Sequence, residues 1–197
     1  RGMYIIGYNS LLAIEDHISA NGTYLTDVDS TFEEAFLEST VDGKLVDILV
    51  NNTFIDWTDS IIVQANKVGI VINFSIQNIT LSQLDPWELT LKANVLIDAR
   101  DEKGTSAWEK QKAILATIPI TGFEDPLYTL ETAGRIINSI EKTNITDFSN
   151  TDDLVIHINN SYYKASTTAP SFLMRLQGNT SASEFGIESI TNLNEFS

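Results

Sequence analysis

The amino-acid sequence predicts an α+β fold in which N-terminal amphipathic helices pack on an antiparallel β-meander. Three observations carry this. Apolar residues recur at three- and four-residue spacing as far as Val68, the period changes to two directly after Gly69, and the turn sequence Asp101-Glu102-Lys103-Gly104 follows the second alternating run. A helical stripe that leads into hairpin-connected strands is buried on one face of the sheet they form.

The first helix is expected over Met3–Ala20, with Tyr4, Ile5, Tyr8, Leu11, Leu12, Ile14 and Ile18 as its stripe and Asn21-Gly22 closing it. Ser30 with Glu33 reads as a capping box for a short second helix carrying Phe32, Ala35 and Phe36, which ends before Asp42-Gly43. Asn52 is the expected cap of a third helix, whose Phe54, Trp57, Ile61, Ala65 and Val68 fall on one face. Its Phe54, Trp57, Ile61 and Ala65 are expected to pack on Ile72, Phe74, Leu91 and Val95.

Strands follow. Ile70, Ile72, Phe74 and Ile76 alternate with polar neighbours, as do Leu89, Leu91, Ala93, Val95 and Ile97. A third strand is expected from Thr105 to Ile120. Trp108 to Lys112 alternates poorly, as a projecting or edge segment does, where lysines discourage further pairing. Gly122–Tyr128 reads as a loop, Arg135–Phe148 suits neither period, and Ser149–Lys164 reads as a helix with Asp152 and Asp153 in its first turn and Leu154, Ile158 and Tyr162 as its stripe. The expected organisation is a single domain over 1–197: helical over 1–68, antiparallel sheet over 69–121, mixed over 122–197.

Composition removes several function classes. The chain has 197 residues, with 27 acids against 12 bases and a net charge of −15. Such a field repels a phosphate backbone, so no nucleic-acid partner is expected. Without cysteine there is no thiol nucleophile, disulfide or thiolate metal site, and His17 and His157 alone leave little for a transition metal; no cofactor and no metal are expected. Residues 1–66 carry a net −9 and Lys92–Lys112 a net +1, so the helical layer is acidic and the hairpin nearly neutral.

Catalytic motifs do not form. Gly7-Tyr8-Asn9-Ser10 lies inside a helical stripe and lacks the second glycine of a nucleophile elbow. No glycine pair has phosphate-loop spacing. Glu15-Asp16-His17 lacks two histidines at i and i+4. Neither Asp27 with Asp29 nor Asp98 with Asp101 and Glu102 follows the spacing of a calcium loop. An enzyme is not expected; a carboxylate-dependent glycosidase is the minor alternative. Trp87, Trp108, Phe123 and Tyr128, in or beside loops, are candidates for ligand or partner contact, including a sugar-stacking platform.

Asn-x-Ser/Thr sequons begin at Asn21, Asn51, Asn73, Asn78, Asn144, Asn159 and Asn179. Roughly three would arise by chance from this composition, and the excess points to a glycosylated, extracytoplasmic surface. Most of these asparagines should then be exposed; Asn73, between Ile72 and Phe74, should face away from the core.

Four strings, Asp85-Pro86-Trp87, Gly122-Phe123-Glu124-Asp125-Pro126-Leu127-Tyr128, Ser171-Phe172-Leu173-Met174-Arg175-Leu176 and Gly186-Ile187-Glu188-Ser189, resemble those of uncharacterised exported archaeal pilin-like surface proteins. The resemblance touches most of the chain at scattered points, and its motifs carry no assigned chemistry. It implies a class III signal peptide and a hydrophobic helix upstream of Arg1, which would be the chain's route to a membrane. A helix leading into an antiparallel meander is also the layer arrangement of pilin headgroups, an analogy of fold alone. The expectation is an extracellular structural or adhesion headgroup of a pilin-like or surface-anchored protein, with neighbouring subunits or other proteins as partners. The alternative is an extracytoplasmic ligand-binding or sensor domain for a sugar or small molecule. Met3–Ala20 is expected to keep part of its apolar surface uncovered for docking.

Overall fold

The computed structural model describes residues 1–104, 107–146 and 148–189. Its architecture is α+β, with the N-terminal helix packed on a three-stranded antiparallel sheet. The chain forms two compact units, each assembled from non-contiguous segments: Arg1–Ile14, Asp29–Ser82 and Thr90–Ile118 in one, Glu15–Val28, Gln83–Leu89 and Pro119–Ser197 in the other.

Helix α1 (Gly2–Asn21) supplies residues to both units and ends where Gly22 takes a φ of 66°, as expected for a glycine C-terminus. Helix α2 (Val28–Glu38) begins two residues before Ser30, because buried Val28 anchors the first turn; Ser30 therefore stands inside the helix, which corrects the expected capping box. A tight hairpin of β1 (Thr40–Val41) and β2 (Lys44–Leu45) turns through Asp42 and Gly43, both at positive φ. Helix α3 (Phe54–Asn66) is capped by Thr53 rather than Asn52. The Thr53 hydroxyl accepts from the Asp56 amide at 3.1 Å while the Asp56 carboxylate accepts from the Thr53 amide at 3.0 Å, and Asn52 donates instead to the Ile48 carbonyl.

Strands β3 (Ile70–Asp85), β4 (Glu88–Asp101) and β5 (Ala107–Pro119) form the sheet in that spatial order. Central β4 buries Leu89, Leu91, Ala93 and Val95 at period two. On β3 the more buried set is Ile72, Phe74 and Ile76, then Ile79, Leu81 and Gln83; the alternation slips between Ile76 and Ile79, as one inserted residue makes it do. Residues Ala107–Ala113 of edge strand β5 are all exposed.

Within the first unit, a Cβ on Gly7 of α1 would lie 2.7 Å from the side-chain ends of both Leu91 and Ile118, so the missing side chain permits a close approach of helix to sheet. Leu91 thus lies against α1. The ring contacts of Phe54 are with Phe36 of α2 and with Trp57, each at 5.4 Å between centroids. Ile61, Ala65, Ile72 and Phe74 are half-buried.

In the second unit, helix α4 (Pro126–Glu131) takes up the last three residues of the expected Gly122–Tyr128 loop. Asp125 caps it through the Leu127 amide, and Pro126 fits its first turn because no amide proton is needed there. Helix α5 (Thr151–Asn159) is capped by Asn150 and is shorter than expected: Ser161 takes a φ of 50° and Tyr162 lies beyond the helix. Strand β6 (Tyr163–Ala165) pairs antiparallel with β7 (Ile187–Ser189), Tyr163 opposite Ser189. Between them runs helix α6 (Phe172–Leu176). The described residues of 135–148 hold only isolated bridges, Ser139 to Glu124 and Lys142 to Tyr163. Phe123, Ile140, Tyr163, Phe172, Leu176 and Ile187 make the core of this unit.

Candidate functional site

Helix α1 is apolar nearly all round, and its residues divide into two faces. Met3, Ile6, Leu11, Ile14 and Ile18 are buried at helical spacing. Tyr4 and Ile5 remain 38% and 43% exposed, and Tyr8 and Leu12, one and two turns on from Tyr4, are half-buried. The expected single stripe thus mixed two faces, since at this density of apolar residues neighbours point in different directions. The Tyr4 and Tyr8 rings stack at 6.0 Å, giving the outer face a flat aromatic surface. Beside it a cleft of about 270 Å³ is lined by Gly2, Ile5, Asp56, Trp57 and Ser60. That is slightly below the roughly 300–1,000 Å³ usual for small-molecule pockets.

All seven sequon asparagines are exposed. Asn73 stands on the face of β3 opposite Ile72 and Phe74, and Asn78 falls on that same outer face because of the intervening slip. The Asn78 Oδ1 accepts from Asn94 Nδ2 on β4.

The loop aromatics do not form one platform. Phe123 is fully buried, stacked on Phe172 at 5.6 Å, which makes it core and corrects its candidacy for ligand contact. Tyr128 is half-buried and donates to the Ser189 carbonyl at 3.0 Å. Half-buried Trp87 has the Lys142 ammonium 5.1 Å from its ring centre. Trp108, 49% exposed, belongs to the other unit.

The strongest electrostatic arrangement is one that spacing alone did not single out. Asp125 and Arg175 pair at 2.5 Å, with 0% and 5% of their side chains exposed. Asp125 Oδ2 also accepts from the Tyr163 hydroxyl at 2.8 Å, which in turn accepts from Asn138 Nδ2 at 2.9 Å. Arg175 donates further to the Pro170 and Ile187 carbonyls. Burial pushes the Asp125 carboxyl up, against the pull of Arg175 and the Tyr163 hydroxyl; burial and the Asp125 charge push the Tyr163 phenol up. With its donors and acceptors mutually engaged, the cluster ties chain segments together and offers no free acid or base. Around it the four sequence strings interlock. Gln83 bonds Pro86 and Leu173, Trp87 accepts from Ile120, Phe123 meets Phe172, Arg175 reaches Asp125 and Ile187, and Tyr128 reaches Ser189. An arginine inside the apolar run Phe172–Leu176 was the one signal for this centre in the sequence.

Two further buried groups titrate abnormally. The Glu15 carboxyl is pushed up to about 8, first by burial and then by the charges of Glu124 and Asp16, against the Glu124 amide that donates to it. It lines neither the cleft beside Trp57 nor a second one of about 370 Å³ bordered by Asn21, Gly22, Thr129 and Gly134. His157 is buried with neither ring nitrogen hydrogen-bonded, edge-on to Phe148 at 4.9 Å; burial and the nearby Lys164 charge lower its pKa. Among the described residues no group of acids and histidines is placed to hold a metal ion, and no helix is long and apolar enough to cross a membrane. Comparison of the chain with protein-family models, curated proteins and solved structures finds no match.

Proposed function

We propose that this chain is an extracellular structural headgroup of a pilin-like or surface-anchored protein, working through protein contacts in adhesion or assembly. The observation that carries the reading is the outer face of α1, where Tyr4 and Ile5 stay exposed and continue through Tyr8 and Leu12. Outward-facing helix positions in a self-contained domain are ordinarily polar, and a continuous apolar strip fits a neighbouring helix or subunit. Seven exposed sequon asparagines support the extracytoplasmic location.

The test replaces Tyr4 and Ile5 by glutamate in the natural protein in its own cells. Both positions are partly exposed and Tyr4 stacks on Tyr8, so the double change should cost about 1–2 kcal/mol and lower the thermal midpoint by several degrees with the fold retained. The folded variant should be lost from surface assemblies into the medium. Unchanged retention on the cell would contradict it.

A further inference from the structure

We propose that N-linked glycans on Asn73 and Asn78 guard the β3 edge of the sheet, keeping it from pairing with β3 of a second copy. The proposal rests on the extracytoplasmic reading above. It starts from an asymmetry between the two edges. Edge strand β5 carries exposed Glu109, Lys110 and Lys112 and ends at Pro119, all features that oppose further pairing. Edge strand β3 carries a charge only at its last residue, exposed Asp85, and no proline. From Val68 to Leu84 the chain has no Asp, Glu, Lys, Arg or Pro, and Ile70 and Val71 are 40% and 43% exposed. Among the described residues β3 pairs on one side only, with β4.

A long, uncharged edge rich in Ile, Val and Phe is a template for another strand, and Ile70–Ile76 has the composition that stacks into cross-β. The slip near Gln77 interrupts pairing locally but leaves Ile70–Ile76 regular. On this strand, and not on β5, stand two sequons, Asn73-Phe74-Ser75 and Asn78-Ile79-Thr80. Both asparagines are exposed on the same outer face, about 15 Å apart along the strand. Asn94 engages the Oδ1 of Asn78 and leaves its Nδ2 for the sugar. In the transfer, Nδ2 bonds to the anomeric carbon of a lipid-phosphate-linked oligosaccharide. The anomeric C–O bond breaks, the lipid phosphate leaves with the bonding pair, and Nδ2 gives up one proton; the cell's transferase supplies the catalysis. An incoming strand must come within about 4.8 Å of β3 in the sheet plane, and two hydrated glycans rising from the outer face of that edge strand crowd the outer-face side chains of the arriving strand.

The test uses the natural protein from a glycosylating host, with site occupancy read by glycopeptide mass spectrometry and self-association by sedimentation velocity. Variants are Ser75→Ala/Thr80→Ala, which removes both sequons but keeps both asparagines, and Asn73→Gln/Asn78→Gln, each also with Gln77→Lys. Occupancy at Asn73 and Asn78 is expected in the parent. Loss of either pair should bring self-association at a concentration at least tenfold lower, and Gln77→Lys should reverse it; association through α1 would not respond to that lysine. Occupied sequons elsewhere with Asn73 and Asn78 bare would overturn the guard while leaving the extracytoplasmic reading standing. Sequon-free variants that associate no more than the parent would also overturn it. A chain with every sequon bare would remove both readings.

Discussion

The Arg175 guanidinium and the Asp125 carboxylate meet at 2.5 Å in the interior of the second unit, bridging helix α6 to the cap of helix α4. Two charges out of water are tolerable only while each has the other and the remaining donors are satisfied. Arg175→Ala leaves Asp125 with the Tyr163 hydroxyl and the Leu127 amide among the described residues, and should destabilise the fold by about 3–5 kcal/mol in urea unfolding. Asp125→Asn combined with Arg175→Met removes both charges and should recover much of that loss.

Glu15 should make the protein less stable as pH rises. Its pKa is about 8 when folded against 4.5 for the free side chain, so the folded state holds the extra proton. The stabilisation is complete below about pH 4.5, declines progressively above it and is lost as pH passes through 8. Glu15→Gln keeps an acceptor for the Glu124 amide and removes the titration. Thermal midpoints at pH 8 should rise in the variant, and the difference should shrink towards pH 5.

His157 predicts the opposite slope. Its folded pKa lies below the usual 6.5 because burial disfavours the charged ring, so the unfolded chain takes up the proton first as pH falls. Its contribution is present above about 6.5 and is lost below it as pH falls towards the folded pKa. His157→Phe sacrifices no hydrogen bond and keeps an aromatic ring beside Phe148 and Tyr162. The variant should match the parent at pH 7.5 and lose less stability between pH 6.5 and 5.

Gly186 and Gly7 should respond differently to alanine. A Cβ at Gly186 would collide with the Ala169 and Ser166 carbonyl oxygens, which are backbone atoms held by neighbouring hydrogen bonds. At Gly7 it would meet only the flexible ends of Leu91 and Ile118, and alanine gains about 1 kcal/mol of helix propensity there. Gly186→Ala should cost about 1–3 kcal/mol or more by overpacking, and Gly7→Ala should be close to neutral. Denaturant midpoints of the two variants measure the contrast.

The elements legible in the sequence were those whose signal is periodic and local. Helix α1, the switch to strands at Gly69 and the alternation of β4 through Leu89, Leu91, Ala93 and Val95 follow directly from spacing. The exposed stretch of β5 follows from poor alternation. What escaped was set by tertiary partners. Asp125 reads as a turn residue until its contacts with Arg175, far along the chain, and Tyr163 are seen, and Phe123 reads as a loop aromatic until Phe172 covers it. The two faces of α1 could not be separated by spacing because both are apolar, and the slip in β3 was hidden because Ile76 and Ile79 each continue an acceptable alternation.

The outer face of α1, proposed above as a contact surface outside the cell, can be probed on living cells. A photo-crosslinking amino acid in place of Ile5, in the natural protein on intact cells, tests it most directly. Light-dependent adducts should join this position to a second copy or another surface protein, in a population that a membrane-impermeant amine reagent also labels. A chain that forms no adduct at this position and is shielded from that reagent would contradict it.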